Sequence, residues 1–284
     1  GNWVALAVTL PLALSPMMVL HAHYLKEDIY LQCGFMMTLL FHSLWVNKKK
    51  WYFLLLLGLA MGMALSAHYK SLTYGLVFLV MSVWVGRKFI VGYLGSGLVV
   101  AILALLVFAA INHPMFDDLE QFWKGFTFER DHALDGHTVK LWPTAWLFTF
   151  HLRKSIVPGL GLVPALVGIA GLVWAILKWK SLKFGEKLLA VFTLILYFVV
   201  EISPLKPHPG YIRYALPVIP GLVYFSYKLF YFLTERFRIN MHWALLPMVF
   251  LILWEGFFSA KRLEEIVTDT RVISEEKYEN YPGK

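Results

Sequence analysis

The sequence predicts an all-α, polytopic integral membrane protein with about nine transmembrane helices, and three observations carry that expectation. First, 59% of the 284 residues are hydrophobic and only 15% are charged, against about 45–50% and about 25% in an average soluble domain. Second, the apolar residues gather in nearly charge-free runs of about the length a helix needs to cross roughly 30 Å of hydrocarbon. Third, the charges separate between those runs: alternate connections are basic, and the others hold the acids and histidines.

The runs fall at about 3–20, 29–46, 51–67, 71–86, 90–111, 156–177, 188–203, 213–233 and 242–259. Hydrocarbon offers no partner to a peptide N–H or C=O, so each run is expected to close its own hydrogen bonds as a helix. One set of connections holds Lys48-Lys49-Lys50, Arg87-Lys88, the stretch 178–187, and Arg236 with Arg238, which is 11 basic residues against Glu186 and Glu235. An excess of Lys and Arg marks cytoplasmic loops. The same distribution accounts for the net charge of +8. In a soluble chain that charge would point to nucleic acid; here it reads as topology, with membrane lipids as the partner. The single cysteine, Cys33, excludes an intrachain disulfide and a multi-cysteine metal site.

The opposite connections are 21–28, 68–70, the long loop 112–155, 204–212 and the tail after 259. They and the adjoining helix ends hold 16 of the 18 acids and eight of the ten histidines. Polar chemistry is therefore expected on the extracytoplasmic side. Loop 112–155 is too long for a bare connection. Its segment 115–126 mixes aromatics and acids at helical spacing and is expected to lie on the membrane surface as an interfacial helix. Trp142, Trp146 and Phe148 then return the chain to the interface, where such rings are favoured. Residues 1–259 read as one transmembrane domain, and 260–284 as the start of an extracytoplasmic segment. No signal peptide is visible, and both ends read as cut, so a fragment is expected.

Four positions stand out chemically. Asp28 opens the second run, either as a helix-start carboxylate facing the dipole or as a polar group facing a cavity. Glu27 points about 100° away on a helix, so the two acids are expected to serve different roles. Lys70, in Ser66-Ala67-His68-Tyr69-Lys70-Ser71, has no adjacent acid. It either snorkels to water or meets an anion, for which phosphate suits a compact ammonium. Arg213 opens the eighth run in the same way, and with Lys206 close by the three cations are candidates to clamp a phosphate. His132 and His137 flank Asp135-Gly136. These are solvated loop histidines or metal ligands, since imidazole and carboxylate are ordinary ligands. No GxGxxG, P-loop, HExxH or GxSxG pattern occurs, which weighs against nucleotide-dependent and serine-hydrolase chemistry.

Four motifs in order carry a family resemblance. Leu14-Ser15-Pro16 followed by residues 21–28, His-Ala-His-Tyr-Leu-Lys-Glu-Asp, resembles the second acidic motif of GT-C glycosyltransferases related to protein O-mannosyltransferases and aminoarabinose transferases. Residues 58–64 with His68-Tyr69-Lys70 resemble their small-residue helix ending in a Tyr-Lys pair. Glu129, Gly136-His137 and Pro143, followed by Pro158-Gly159-Leu160-Gly161, resemble their outer loop and next span. Arg213-Tyr214-Ala215-Leu216-Pro217-Val218-Ile219-Pro220 resembles their Arg-Tyr-x-Leu-Pro-x-x-Pro element.

The resemblance implies an enzyme of the plasma membrane that transfers a sugar from a polyprenyl-phosphate-linked donor to a protein, lipid or glycan acceptor on the extracytoplasmic side. Transfer would be a single inverting displacement. It implies that Asp28 is the second family acid, that Lys70 and Arg213 hold the donor phosphate with Lys206 nearby, and that His137 helps to bind a divalent metal. His132 is the weaker equivalent. The family's base lies in an outer loop between two earlier spans, ahead of Gly1, so this chain alone is expected to be inactive. Asp269-Thr270-Arg271 resembles the start of the family's C-terminal extracytoplasmic segment. The strongest alternative is a transporter or lipid flippase, which usually shows repeated halves and broken helices, neither of which is visible in the sequence; a second is a non-catalytic membrane scaffold, which gives no reason for three cations and an acid to gather at outer helix ends.

Overall fold

A computed structural model of the chain describes residues 2–23, 27–85, 89–135, 138–140, 148–202, 205–207, 212–238 and 241–267. The apolar runs become α1 (Asn2–Ala13), α2 (Pro16–His23), α3 (Glu27–Lys48), α4 (Trp51–Ala67), α5 (Tyr74–Ser82) and α6 (Ile90–Ile111). After them come α7 (Leu119–Asp135), α8 (Val157–Leu160), α9 (Leu162–Leu177), α10 (Phe184–Ile202), α11 (Ile219–Phe237) and α12 (Met241–Val267). Short 3₁₀ turns at Tyr69–Thr73 and Ile212–Val218 lead into α5 and α11.

Among the described residues, three helical segments are long and apolar enough to cross a membrane: Glu27–Lys48, Ile90–Ile111, and Arg213–Phe237, in which the 3₁₀ turn and α11 run on. A fourth is reached if the bent pair Leu152–Leu160 and Leu162–Leu177 counts as one span. α6 shows why these belong in lipid. Val91, Leu98, Leu105 and Leu106 are 81%, 65%, 58% and 61% exposed, a continuous apolar face that water would not tolerate on a monomer.

Neighbouring helices meet through small residues, as expected where lipid removes the hydrophobic drive between helices and close packing must supply the attraction. A Cβ on Gly34 of α3 would lie 2.8 Å from Ala64 Cβ of α4. Gly58 and Gly62 of α4 likewise admit Leu103 and Val107 of α6, and Gly168 and Gly171 of α9 admit Leu222 and the Phe225 backbone of α11. Farther along α3, buried His42 bonds Tyr74 of α5 through Nδ1 at 2.8 Å and Tyr93 of α6 through Nε2 at 2.7 Å. One imidazole thus ties three helices, with both nitrogens used.

Three expected runs depart from a straight helix. The run 3–20 is interrupted between α1 and α2, where Pro16, with no N–H to bond back, opens the second piece. The run 71–86 is a 3₁₀ turn followed by the nine residues of α5. The run 156–177 is bent by 111°: a π-helical turn at Leu152–Ile156 and α8 meet α9 at Gly161. Gly161 has φ +87°, ψ 157°, a conformation open essentially to glycine, and a Cβ there would lie 2.5 Å from Trp254 Nε1 of α12. One element goes beyond an all-α reading. The three-residue strands β1 (Thr138–Lys140) and β2 (Leu205–Pro207) pair antiparallel, with Val139 opposite Lys206.

Candidate functional site

Asp28, Lys70 and Arg213 come together from three separate chain segments. Asp28 sits in the first turn of α3 and is 3% exposed. Arg213 lies near the start of the 3₁₀ turn that runs into α11, and its Nη1 is 3.6 Å from Asp28 Oδ2 and 4.0 Å from Glu27 Oε1. The two acids therefore stand beside one guanidinium, although helical spacing sets them about 100° apart. The pair also differs in setting: Asp28 is buried, whereas the Glu27 side chain is 44% exposed.

Tyr214 completes the convergence. Lys70 Nζ stands 3.6 Å from the centre of its ring, and Arg213 Cζ stands 5.5 Å from it. Both are within the distance at which a ring's negative face attracts a cation. No carboxylate of the described residues comes within ion-pair distance of the Lys70 ammonium. Burial pushes that ammonium down to about 7; Asp28 pulls it back up, Arg213 pushes the same way as burial, and Glu27 opposes. The cluster thus holds one cation paired with acids and one that leans on a ring and gains from an added anion.

Buried polar groups lie in the same elements. Gln32, one turn along α3 from Asp28, is 3% exposed, and neither atom of its amide has a hydrogen-bond partner among the described residues. The hydroxyl of Ser71, next to Lys70, is fully buried and equally unpartnered. Leaving such groups unsatisfied costs about 1–3 kcal/mol each, so both sites favour a polar ligand or water. Neither residue, nor the cation-bearing role of Tyr214, was singled out from the sequence. The nearest signals were the Arg-Tyr dipeptide at 213–214 and the lone glutamine in an apolar run.

Lys206 lies in β2, across from Val139 of β1, so the backbone of the long loop is joined to the segment before Arg213; the Lys206 side chain is outside the described residues. So are His137, the side chains of His132 and Asp135, and the segments 141–147 and 268–284. Among the described residues no group of three or more His, Cys, Asp or Glu is arranged to hold a metal ion; the metal reading falls on residues outside that set.

A second buried cluster lies at the C-terminal end of α10. Glu201, 1% exposed, accepts the His151 N–H at 2.5 Å, and the Tyr197 hydroxyl lies 3.1 Å from the same Oε1. His151 Nδ1 is 3.0 Å from Ser155 Oγ. These contacts pin the π-helical turn to α10. Beside it an apolar cleft of ≈300 Å³ runs between Leu152, Ile156, Leu172, Leu194, Val218 and Leu222. Val218 ends the 3₁₀ turn that carries Arg213 near its start. At about 2 Å rise per residue, the cleft begins roughly 10 Å from the ion pair.

No family model, characterised protein or solved structure matches this chain.

Proposed function

We propose that this chain is the membrane domain of a glycosyltransferase that takes its sugar from a polyprenyl-phosphate carrier at the extracytoplasmic face, within a bundle of about nine spans. The observation that carries the reading is the meeting of Asp28 with Arg213, and of Arg213 and Lys70 over Tyr214, with no carboxylate of the described residues within ion-pair distance of Lys70. A phosphate placed there receives the Lys70 ammonium and the Arg213 fork. Asp28, buried against Arg213, orients the guanidinium. Departure of a sugar from a phosphate leaves charge on the phosphate oxygens, and cations already in place stabilise it without reorganising. The apolar cleft at Val218 and Leu222 suits the hydrocarbon part of such a carrier. The exposed face of α7, with Leu119, Trp123 and Phe126 about half exposed, suits an interfacial helix.

The test is binding of decaprenyl phosphate to the chain in lipid nanodiscs, comparing wild type with Lys70→Ala and Arg213→Ala. Saturable binding weakened about tenfold or more in each variant is the expected result, the scale of one charge-assisted hydrogen bond. Wild-type binding in both variants would overturn the phosphate site.

One observation favours a second reading. The 111° break at Gly161 is a bent helix of the kind transporters use. A flippase would move decaprenyl phosphate between leaflets of proteoliposomes, whereas a transferase would bind it without moving it.

A further inference from the structure

Lys70 is held in place by the residues on either side of it. α4 ends at Ala67, and His68 leaves the helix in extended conformation, with φ −164° and ψ 139°, to begin the turn Tyr69–Thr73. His68 Nδ1 accepts the Lys70 N–H at 3.1 Å. Thr73 Oγ1 donates to the Lys70 carbonyl at 2.7 Å, and the Ser71 N–H closes back on the His68 carbonyl at 3.1 Å. Both polar groups of the Lys70 backbone are therefore bonded to side chains. A five-residue 3₁₀ turn has poor hydrogen-bond geometry of its own, and a lysine stem has four rotatable carbons. A fixed backbone is what limits where the ammonium can go, and here it goes over the Tyr214 ring.

We propose that His68 is a positioning residue for the phosphate site, capping the turn so that the Lys70 ammonium is aimed at the ligand before it binds. The inference rests on reading Lys70 and Arg213 as phosphate-binding. The cap requires a neutral imidazole with its proton on Nε2, so that Nδ1 can accept. Burial first, then the charge of Lys70, pushes the His68 imidazole down to about 4; Glu27 pulls the other way and Arg213 adds to the push. The ring is therefore neutral wherever the protein works near pH 7. An asparagine can supply the same bond, because its side-chain oxygen accepts from the N–H two residues on. Alanine cannot.

The experiment titrates farnesyl phosphate into the full chain in nanodiscs, for wild type, Lys70→Ala, Arg213→Ala, His68→Ala, His68→Asn and Thr73→Val. His68→Ala and Thr73→Val are each expected to weaken binding about fivefold, the scale of a lost helix cap. His68→Asn should bind within about twofold of wild type. Should His68→Ala fail to fold, Thr73→Val carries the same comparison. If Lys70→Ala and Arg213→Ala bind as wild type, the phosphate reading itself is overturned. If those two weaken binding while His68→Ala and Thr73→Val do not, the positioning role alone is overturned. Binding by His68→Asn as weak as by His68→Ala would also overturn it, since the cap would not be what His68 supplies.

Discussion

Lys70 sits where burial disfavours its charge, and on the phosphate-binding proposal that gives affinity a definite pH dependence. Its ammonium is pushed from 10.5 down to about 7 by burial. The groups facing it are Asp28 and Glu27 from α3, Arg213 and Tyr214 from the turn before α11, and His68 from the end of α4. Below about 7 the lysine is charged and attracts phosphate. A phosphate monoester gains its second negative charge near pH 6. Farnesyl phosphate affinity is therefore expected to rise toward pH 6–7 and to fall as the pH climbs past about 7. Lys70→Arg, which stays charged throughout, should abolish the alkaline fall; a fall that persists in that variant would remove Lys70 as its source. Stability has the opposite slope. The folded value lies below the unfolded one, so this group weakens the fold most below about 7, and the penalty lifts as pH rises toward 10.5. At this scale the sequence was informative about charge and poor about geometry. A lysine and an arginine at the ends of apolar runs are conspicuous on cost alone. Tyr214, His68 and Gln32 are ordinary residues until the fold puts them beside a cation, in a turn or in a buried position without a hydrogen-bond partner among the described residues.

Helical runs were readable at the scale of elements because an apolar stretch in lipid has few ways to satisfy its backbone. Breaks inside the runs were not. Pro16 and Gly161 are both visible in the sequence, yet proline and glycine are common within membrane helices and do not by themselves mark an end. At Gly161 two constraints coincide, a backbone conformation reserved for glycine and the indole of Trp254 against the missing Cβ. Gly161→Ala is expected to cost about 1–3 kcal/mol, read as a lowered thermal midpoint in detergent. Gly95, in the second turn of α6, is the comparison: a Cβ there meets open space. Gly95→Ala should leave the midpoint unchanged or raise it slightly, since alanine is the better helix former by about 0.5–1 kcal/mol. Equal effects at the two positions would mean that the break is not set by Gly161. The β1–β2 pairing was equally illegible, because three residues per strand carry no alternation to detect.

For the whole molecule, everything depends on which side each end of the bundle faces and on whether the bent pair crosses. α9 has 16 residues, a rise of about 24 Å, short of the roughly 30 Å of hydrocarbon. It reaches across only if the turn before Gly161 contributes depth, and at 111° that turn contributes little. The positive-inside distribution nevertheless leads one to expect Lys180 in the cytoplasm and the α7 loop outside. Cys33 is the single cysteine and is exposed, so Cys33→Ser gives a clean background for labelling. Glu120 and Lys180 are both exposed and flank the bent pair; each is replaced in turn by cysteine, and intact cells are treated with a membrane-impermeant maleimide. Labelling of the Glu120→Cys chain alone, with Lys180→Cys protected until the cells are opened, is the expected outcome. It would put the Asp28–Lys70–Arg213 cluster on the side from which an extracytoplasmic acceptor arrives. Labelling of both would make the bent pair a re-entrant loop, remove one crossing and strengthen the transport reading. Labelling of Lys180→Cys alone would invert the bundle, leaving the phosphate site facing the cytoplasm and ending the case for transfer outside the cell.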